Sequence, residues 1–485
     1  MVKRFALAAL KRGLFLVVAF ILGALALRAW NSLGGPQLEP WHRYVPEELS
    51  EAELDRATWA DYVEAEHRLY ELMIQAVTRR LDPEDRVPHN RYFEGSAVYP
   101  ARFAQDWNRS FVLEPKGEPV GVVLLLHGLT DSPYSVRHIA AHYRDRGYVA
   151  LVMRLPAHGT VPAALTRVHW EDTLAATRMA VREARRRVSA PKPFHMVGYS
   201  TGGALTLKYA LDALKDERLA RPDRIVLLSP MIGVSRFARF AGFAGWPSVL
   251  PAFAKTAWLD LLPEYNPFKY NSFPVNAAVQ SHRLSTTLQE DLVQASRENR
   301  LGKLPPVLTF QSVVDDTISV SAVISALYGM LPANGSELVL FDLNRSVDFG
   351  LLVKPGITDP LVRLLPAAPR KYAISVVANA DANTDAVIER RMAAGTADEL
   401  RRPLPLAFPR EVYSLSHIAV PFPTNDGLYG LQPDPSENYG IRLGVRGLRG
   451  ERGVLVVDPA SLLRLGCNPF YPYLIERIDA AIDGR

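Results

Sequence analysis

Cysteine is almost absent from this chain of 485 residues; the single copy is Cys467. That excludes an internal disulfide and any multi-cysteine metal site. Histidine is scarce too: there are eleven, and after His282 only His417 follows. There is no Lys/Arg-rich run with interleaved aromatics and no zinc-type ligand spacing, which argues against a nucleic-acid partner. No fixed-period internal repeat is present, so repeat architectures drop out. Charge of one sign is not in large excess, with 56 Lys and Arg against 51 Asp and Glu. The net +5 suits an anionic membrane surface. Against these absences, 48% hydrophobic and 22% charged residues describe an ordinary globular chain that can bury a sizeable core. The length allows two or three domains, or one large domain with insertions.

What is present starts at the N-terminus, MVKRFALAALKRGLFLVVAFILGALALRAW. Lys3, Arg4, Lys11 and Arg12 form a basic flank, and Gly13 to Leu27 then runs uncharged and apolar. That run is shorter than the about 18–20 residues of a spanning helix. It fits the apolar core of a signal peptide, and Ala24-Leu25-Ala26 resembles a cleavage site. Arg28 and Trp30 follow at once like an interface anchor, and adding Phe5 to Leu10 gives a tilted membrane helix. Both readings put the body of the chain outside the cytoplasm and leave the basic flank inside. The third reading, a buried soluble helix, sits badly with four basic residues and no acid near its start.

Residues 47–80 predict one helix, a stalk or flanking element, with Ser50 and Glu53 as a capping box. Leu69, Leu72, Met73 and Val77 supply its apolar stripe. Short aromatic, strand-like pieces run from Asn90 to Glu114. Then come continuous apolar runs: Val120–His127, Tyr148–Leu155, Phe194–Tyr199, Arg224–Ser229 and Pro306–Ser312. Runs without alternation mean strands buried on both faces, hence a parallel sheet covered by helices. Helical segments lie between and after them: Pro133–Arg146, Trp170–Arg187, Thr201–Leu214 and Ser319–Leu331. That alternation is the α/β signature. Met231 to Lys303 is longer than a crossover needs and carries Phe237, Phe240, Phe243, Trp246, Phe253 and Trp258, so it reads as an inserted cap. A second insertion, Arg345 to Arg410, follows the strand Glu337–Leu343.

The chemistry is concentrated in VGYSTGGAL, where Gly198, Ser200 and Gly202 spell G-x-S-x-G. The motif sits where a buried strand meets a helix, which makes it a nucleophile elbow with Ser200 exposed at a strained turn. In LLLHGLTDSP, His127-Gly128-Leu129 closes an earlier strand, and Ser132 and Pro133 open a helix as N-cap and N1. Acyl transfer needs two backbone N–H groups aimed at the forming oxyanion. Those of Thr201 and Leu129 are the candidates, with His127 shaping the loop. A serine needs a base, and the base an orienting acid. Chain order in this architecture is Ser, then Asp or Glu, then His. PVLTFQSVVDDTISV offers Asp315 and Asp316 after a strand; Asp315 is preferred as the acid, with Asp316 free to cap the next helix. After Asp315 the chain holds one histidine, His417, and no other residue can serve as the base in that order.

LLLHGLTDSP, RLPAHGT (Arg154–Thr160) and GYSTGG resemble the α/β-hydrolase superfamily. They are most similar to its monoacylglycerol lipase, lysophospholipase and serine aminopeptidase-like branch of bacterial carboxylesterases. The resemblance covers about residues 118–345 and the His417 region. It implies an α/β-hydrolase fold: a mostly parallel central sheet with helices on both faces, an inserted cap, and here an N-terminal membrane helix. It implies Ser200, Asp315 and His417 as catalytic residues and Leu129 and Thr201 as oxyanion donors. No metal or organic cofactor is called for. One departure stands out: Asn344 follows the strand after which the histidine is expected, and either a large loop insertion or extra strands must carry the chain on to His417.

The resulting division is 1–30 anchor or signal segment, 31–90 linker and flanking helix, 91–230 first part of the core, 231–303 cap, and 304–485 second part of the core, with an insertion at about 345–410. The expected function is hydrolysis of carboxylic esters, with a lysophospholipid or monoacylglycerol as substrate and a membrane held through the N-terminus. Rival readings are a serine peptidase or amidase, a thioesterase, and a binding module with a dead site.

Overall fold

Side chains alternate across a strand, so an uninterrupted apolar run needs a core on each face of its sheet. The computed structural model describes residues 2–233, 248, 251–347, 360–444, 464 and 466–484. The strands are β1 (Phe111–Leu113), β2 (Gly121–Leu126), β3 (Tyr148–Met153), β4 (Phe194–Tyr199), β5 (Arg224–Leu228), β6 (Val307–Ser312), β7 (Glu337–Phe341), β8 (Ala373–Asn379), β9 (Ala386–Met392) and β10 (Glu399–Ala407), with the five apolar runs giving β2 to β6. They form one sheet in the order β1-β3-β2-β4-β5-β6-β7-β8-β9-β10. From β3 to β8 in that order the neighbours are parallel. β1, β9 and β10 are antiparallel at the edges.

The main helices are α1 (Val2–Leu33), α2 (Trp59–Ala76), α3 (Arg137–Asp145), α4 (Trp170–Arg187), α5 (Thr201–Lys215), α6 (Val275–Arg297) and α7 (Tyr471–Ile482). On β2, Val122, Leu124 and Leu126 share a core with Leu174 of α4, Leu207 of α5 and Leu288 of α6. Val123 and Leu125 point the other way, into a core with Ile139 of α3 and Ile478 of α7. Each such side chain removed from water contributes about 1.5–3 kcal/mol. This is the α/β-hydrolase architecture that the sequence motifs imply.

Several expectations change. The helix over 47–80 is two: a short turn, Glu51–Leu54, and then α2. Thr58 starts the second, accepting from the Asp61 N–H at 3.2 Å while the Asp61 carboxylate accepts from the Thr58 N–H at 2.9 Å. That capping box competes with a continuous helix and wins. Leu72 is half exposed, outside the buried stripe of Leu69, Met73 and Val77. Nor is α2 a free stalk, because buried Glu66 accepts from Arg154 Nε at 3.1 Å and Glu48 receives both Arg154 terminal nitrogens at 2.8 and 2.9 Å. Between Asn90 and Glu114 only β1 is a strand. The segment expected as a helix from Pro133 opens as a 3-10 turn, and the Ser132 side chain makes no capping bond there. The segment after Ser319 is a short α turn that widens into a π turn over Val323–Tyr328.

Within the expected cap, Phe237, Phe240, Phe243 and Trp246 lie outside the described residues. Trp258 sits on a two-stranded ribbon with Phe273–Pro274 and packs against Trp41, Tyr70 and Tyr92 of the N-terminal region. α6, at the far end of the same stretch, packs into the body. Among the two routes left open beyond Asn344, the structure takes extra strands, β8 to β10. α1 is one helix through the basic pair, and Lys11–Asn31 is long and apolar enough to cross a membrane. Its Leu14, Phe15 and Phe20 are exposed, unlike those of a core helix.

Candidate active site

Ser200 occupies the turn between β4 and α5 at φ +52°, ψ −114°. A non-glycine residue there is strained and needs surroundings that over-determine it. Glycines supply them by letting backbones touch. A Cβ on Gly198 would lie 2.4 Å from the Gly202 carbonyl oxygen, and one on Gly202 would lie 2.2 Å from that of Leu126. The Ser200 N–H donates to the Leu228 carbonyl at 2.9 Å, which ties the elbow to β5. The turn also puts Ser200 at the N-terminus of α5, where the helix dipole favours negative charge.

Gly128 brings the second loop close: a Cβ there would sit 3.2 Å from the Ser200 Cβ. Neither the Leu129 nor the Thr201 N–H has a hydrogen-bond partner among the described residues. His127 is fully buried, with Nε2 accepting from the Leu155 N–H at 3.0 Å and Nδ1 2.9 Å from the Gly128 carbonyl. Burial and the neighbouring His158 push its pKa well down, so it is a neutral brace between two loops.

Asp315 follows the carboxyl end of β6. Its Oδ1 accepts from the N–H groups of Thr317 and Ile318 at 2.8 and 3.0 Å. Its Oδ2 accepts from Gln311 Nε2 at 3.0 Å and lies 2.7 Å from His417 Nδ1. Burial pushes this carboxyl up, but His417 and the two N–H groups outweigh it and hold its pKa below the usual value. Asp316 is exposed, and Ser319 rather than Asp316 caps the next turn, accepting from the Ala322 N–H at 3.2 Å.

His417 begins a 3-10 turn and is buried. Its Nε2 lies 3.1 Å from Ser200 Oγ. The Tyr199 ring packs against the imidazole with centroids 5.5 Å apart. Asn344, in the place where a histidine was expected, has a different task. Its N–H donates to the Tyr413 carbonyl at 2.9 Å and its side-chain amide to the Val412 carbonyl at 2.9 Å. It therefore anchors the segment that brings His417 in.

The structure thus brings Ser200, Asp315 and His417 into one hydrogen-bonded line, with the Leu129 loop and Thr201 adjoining Ser200. Two cavities flank it. One of about 30 Å³ is lined by Leu129, Thr201, Leu155, Val168, Trp170 and Leu284 among others. The other, about 250 Å³, adjoins His417 and has a mixed lining, with Val314, Val412 and Leu415 beside Asp316, Glu411 and Arg464. The sequence reading missed Gln311 and Asn344. Gln311 carried a signal, a polar side chain inside an apolar strand; Asn344 was marked only as standing where a histidine is expected, and nothing in the sequence pointed to its anchoring role. Among the described residues one cluster has metal-type ligands, His138, Asp426 and Glu437. Arg137 already fills it, with its guanidinium 2.6 Å from each carboxylate.

Residues 117–326 match the family described as serine aminopeptidase, S33. A thermostable monoacylglycerol lipase from Bacillus sp. (strain H-257) is 30% identical over 169 residues, which are 34% of this chain and 62% of that relative's length. Among solved structures, a metagenome-derived lipolytic enzyme is 21% identical over 49% of this chain and 88% of its own, with a TM-score of 0.39. A soluble variant of monoglyceride lipase from Saccharomyces cerevisiae is 15% identical over 48% of this chain and 81% of its own, with a TM-score of 0.38.

Proposed function

We propose that this α/β-hydrolase is a serine hydrolase of carboxylic esters acting on lipid-like substrates, a lysophospholipid or a monoacylglycerol. The observation that carries the reading is the line from Asp315 through His417 to Ser200, with contacts of 2.7 and 3.1 Å, at a strained strand–helix turn. In this mechanism His417 Nδ1–H donates to Asp315, which fixes the tautomer that leaves Nε2 able to accept a proton. Nε2 takes the Ser200 proton as Oγ bonds to the acyl carbon. The carbonyl oxygen becomes an oxyanion held by the Leu129 and Thr201 N–H groups. The imidazolium returns its proton to the departing alcohol oxygen as the ester bond breaks. Water, deprotonated by His417, then attacks the acyl-enzyme and releases the acid and free Ser200.

The cavity of about 250 Å³ beside His417, walled by Val314, Val412 and Leu415 as well as by Asp316 and Arg464, is the space offered to an amphipathic ester, whereas the one on the Leu129 and Thr201 side, at about 30 Å³, has room for little more than a water. α1 supports a membrane anchor with the catalytic body on the outer face, following the basic residues that precede its apolar run. The domain reading that goes with this function keeps 1–30 as the membrane segment, with a cap inserted between β5 and β6.

The test is a p-nitrophenyl ester series from acetate to palmitate with Ser200→Ala as control. The expectation is a kcat/KM that rises with chain length and falls by at least about 10⁴-fold in the variant. A flat chain-length profile removes the lipid-like substrate, and faster turnover of matched anilides than of esters favours the amidase reading. A fluorophosphonate that labels Ser200→Ala as well as wild type removes the hydrolase itself.

A further inference from the structure

The turn that carries Leu129 does not hold itself in place. Thr130, the next residue, has φ +61°, a left-handed conformation that is rare for a β-branched side chain. Strain of this kind persists only where neighbours impose it. Here the neighbours come from one loop, Glu264–Ser272, which leads into the ribbon strand before α6. The Tyr270 N–H donates to the Thr130 carbonyl at 2.8 Å. Lys269 Nζ donates to Thr130 Oγ1 at 2.9 Å, reaches the Leu129 carbonyl at 3.5 Å, and lies 3.8 Å from the buried Asp131 carboxylate. One ammonium therefore grips three consecutive residues of the turn.

The gripping loop is itself braced from behind. The Glu264 carboxylate accepts from the N–H groups of Asn271 and Ser272 at 3.0 and 2.9 Å. The Arg91 N–H donates to the Glu264 carbonyl at 2.9 Å, and its guanidinium to the Lys269 carbonyl at 3.3 Å. Arg91 and Glu264 are both buried. A surface lysine that merely trails into solvent makes no such set of contacts. The Lys269 side chain is 27% exposed and its charge is directed inward.

We propose that Lys269 is a positioning residue for the oxyanion site, fixing the strained turn that presents the Leu129 N–H. The proposal rests on the reading that the Leu129 and Thr201 N–H groups receive the oxyanion. An oxyanion contact forms fully only in the transition state, so a displaced Leu129 N–H lowers kcat and leaves KM in place. Removing an oxyanion donor outright costs about 10²–10³-fold, and loosening one from behind should cost less.

The experiment compares Lys269→Met, Lys269→Arg and Thr130→Ser with wild type, using p-nitrophenyl butyrate kinetics and the rate of Ser200 labelling by a fluorophosphonate. Lys269→Met is expected to lose about tenfold to fiftyfold in kcat with KM within about twofold, and to label more slowly by a similar factor. Lys269→Arg, which keeps the charge and the donors, should recover most of the loss, and Thr130→Ser, which keeps the acceptor, should stay near wild type. A Lys269→Met enzyme with wild-type kcat overturns the proposal, as does a loss that Lys269→Arg shares in full or that appears in KM alone. Should Lys269→Met fail to fold, Lys269→Gln takes its place with the same outcomes. Failure of wild type to label at Ser200 would instead overturn the hydrolase reading on which the proposal stands.

Discussion

Ser200 and His417 reach the same point by opposite routes. Ser200 is placed by what adjoins it in the chain: β4, a tight turn, α5, and glycines whose missing side chains let backbones touch. His417 arrives after a long excursion through β8, β9 and β10, and its last approach is held by residues far away in sequence. Asn344 anchors Val412 and Tyr413, Asp315 takes Nδ1, and Tyr199 packs on the ring. Beyond His417, Asp426 ties the chain back to α3 through Arg137 and His138, and to the 3-10 turn before it through Tyr134. The first route is local sterics and tolerates no added atom. The second is a set of separate tertiary bonds, each of which can be loosened by itself.

That contrast can be broken or sharpened by mutation. The largest effect is expected where the two routes meet. Asp315→Asn should lower kcat by about 10³–10⁴-fold through the wrong His417 tautomer, while Asp316→Asn stays within about twofold. Equal losses in both would mean the acid has been misassigned. On the local route, Gly202→Ala drives a Cβ into the Leu126 carbonyl, and kcat/KM should fall about 10²-fold together with a lower Tm. An active, stable Gly202→Ala enzyme would show that the elbow is not locked sterically.

On the distant route, Asn344→Ala should cost about tenfold in kcat, because His417 loses precision while Ser200 keeps its own. Steady-state kinetics with a fluorophosphonate labelling rate measure it, and an unchanged kcat would transfer the anchoring to β9 and β10. Apart from the Asp316→Asn control, the smallest effect on turnover is expected from Asp426→Asn, within about threefold, with about 3 kcal/mol lost in urea unfolding at pH 7. Burial pushes the Asp426 carboxyl up, but Arg137 and His138 hold it well below the usual range. A depressed folded pKa stabilises fully above the ordinary aspartate value near pH 4 and is lost as pH falls through the folded value. Wild type and Asp426→Asn should therefore converge in stability on acidification, and a gap that widens at low pH would contradict the pairing.

The strands from β2 to β7 were legible because their apolar runs report burial on two faces, a property of consecutive residues. β9 and β10 were not, since charged residues and prolines interrupt their apolar ones toward an exposed edge, as in AVIERRM and ELRRPLPLA. The break before α2 was missed because Thr58 and Asp61 form a second capping box inside a helical pattern. Around the candidate site, Ser200 and Gly202 could be picked from the motif and Asp315 from its place after a strand. His417 was reached by elimination, which names a residue without giving its path.

By itself the sequence determined the run of buried strands from β2 to β7 and the strained turn at Ser200, because periodicity and backbone sterics act over a few neighbouring residues. Only the tertiary structure decided that Asn344 anchors the approach of His417, that Gln311 steadies Asp315, and that Lys269 grips the Leu129 turn. Those are bonds between side chains and carbonyls far apart along the chain. Their partners follow from how the layers pack, which no local pattern records.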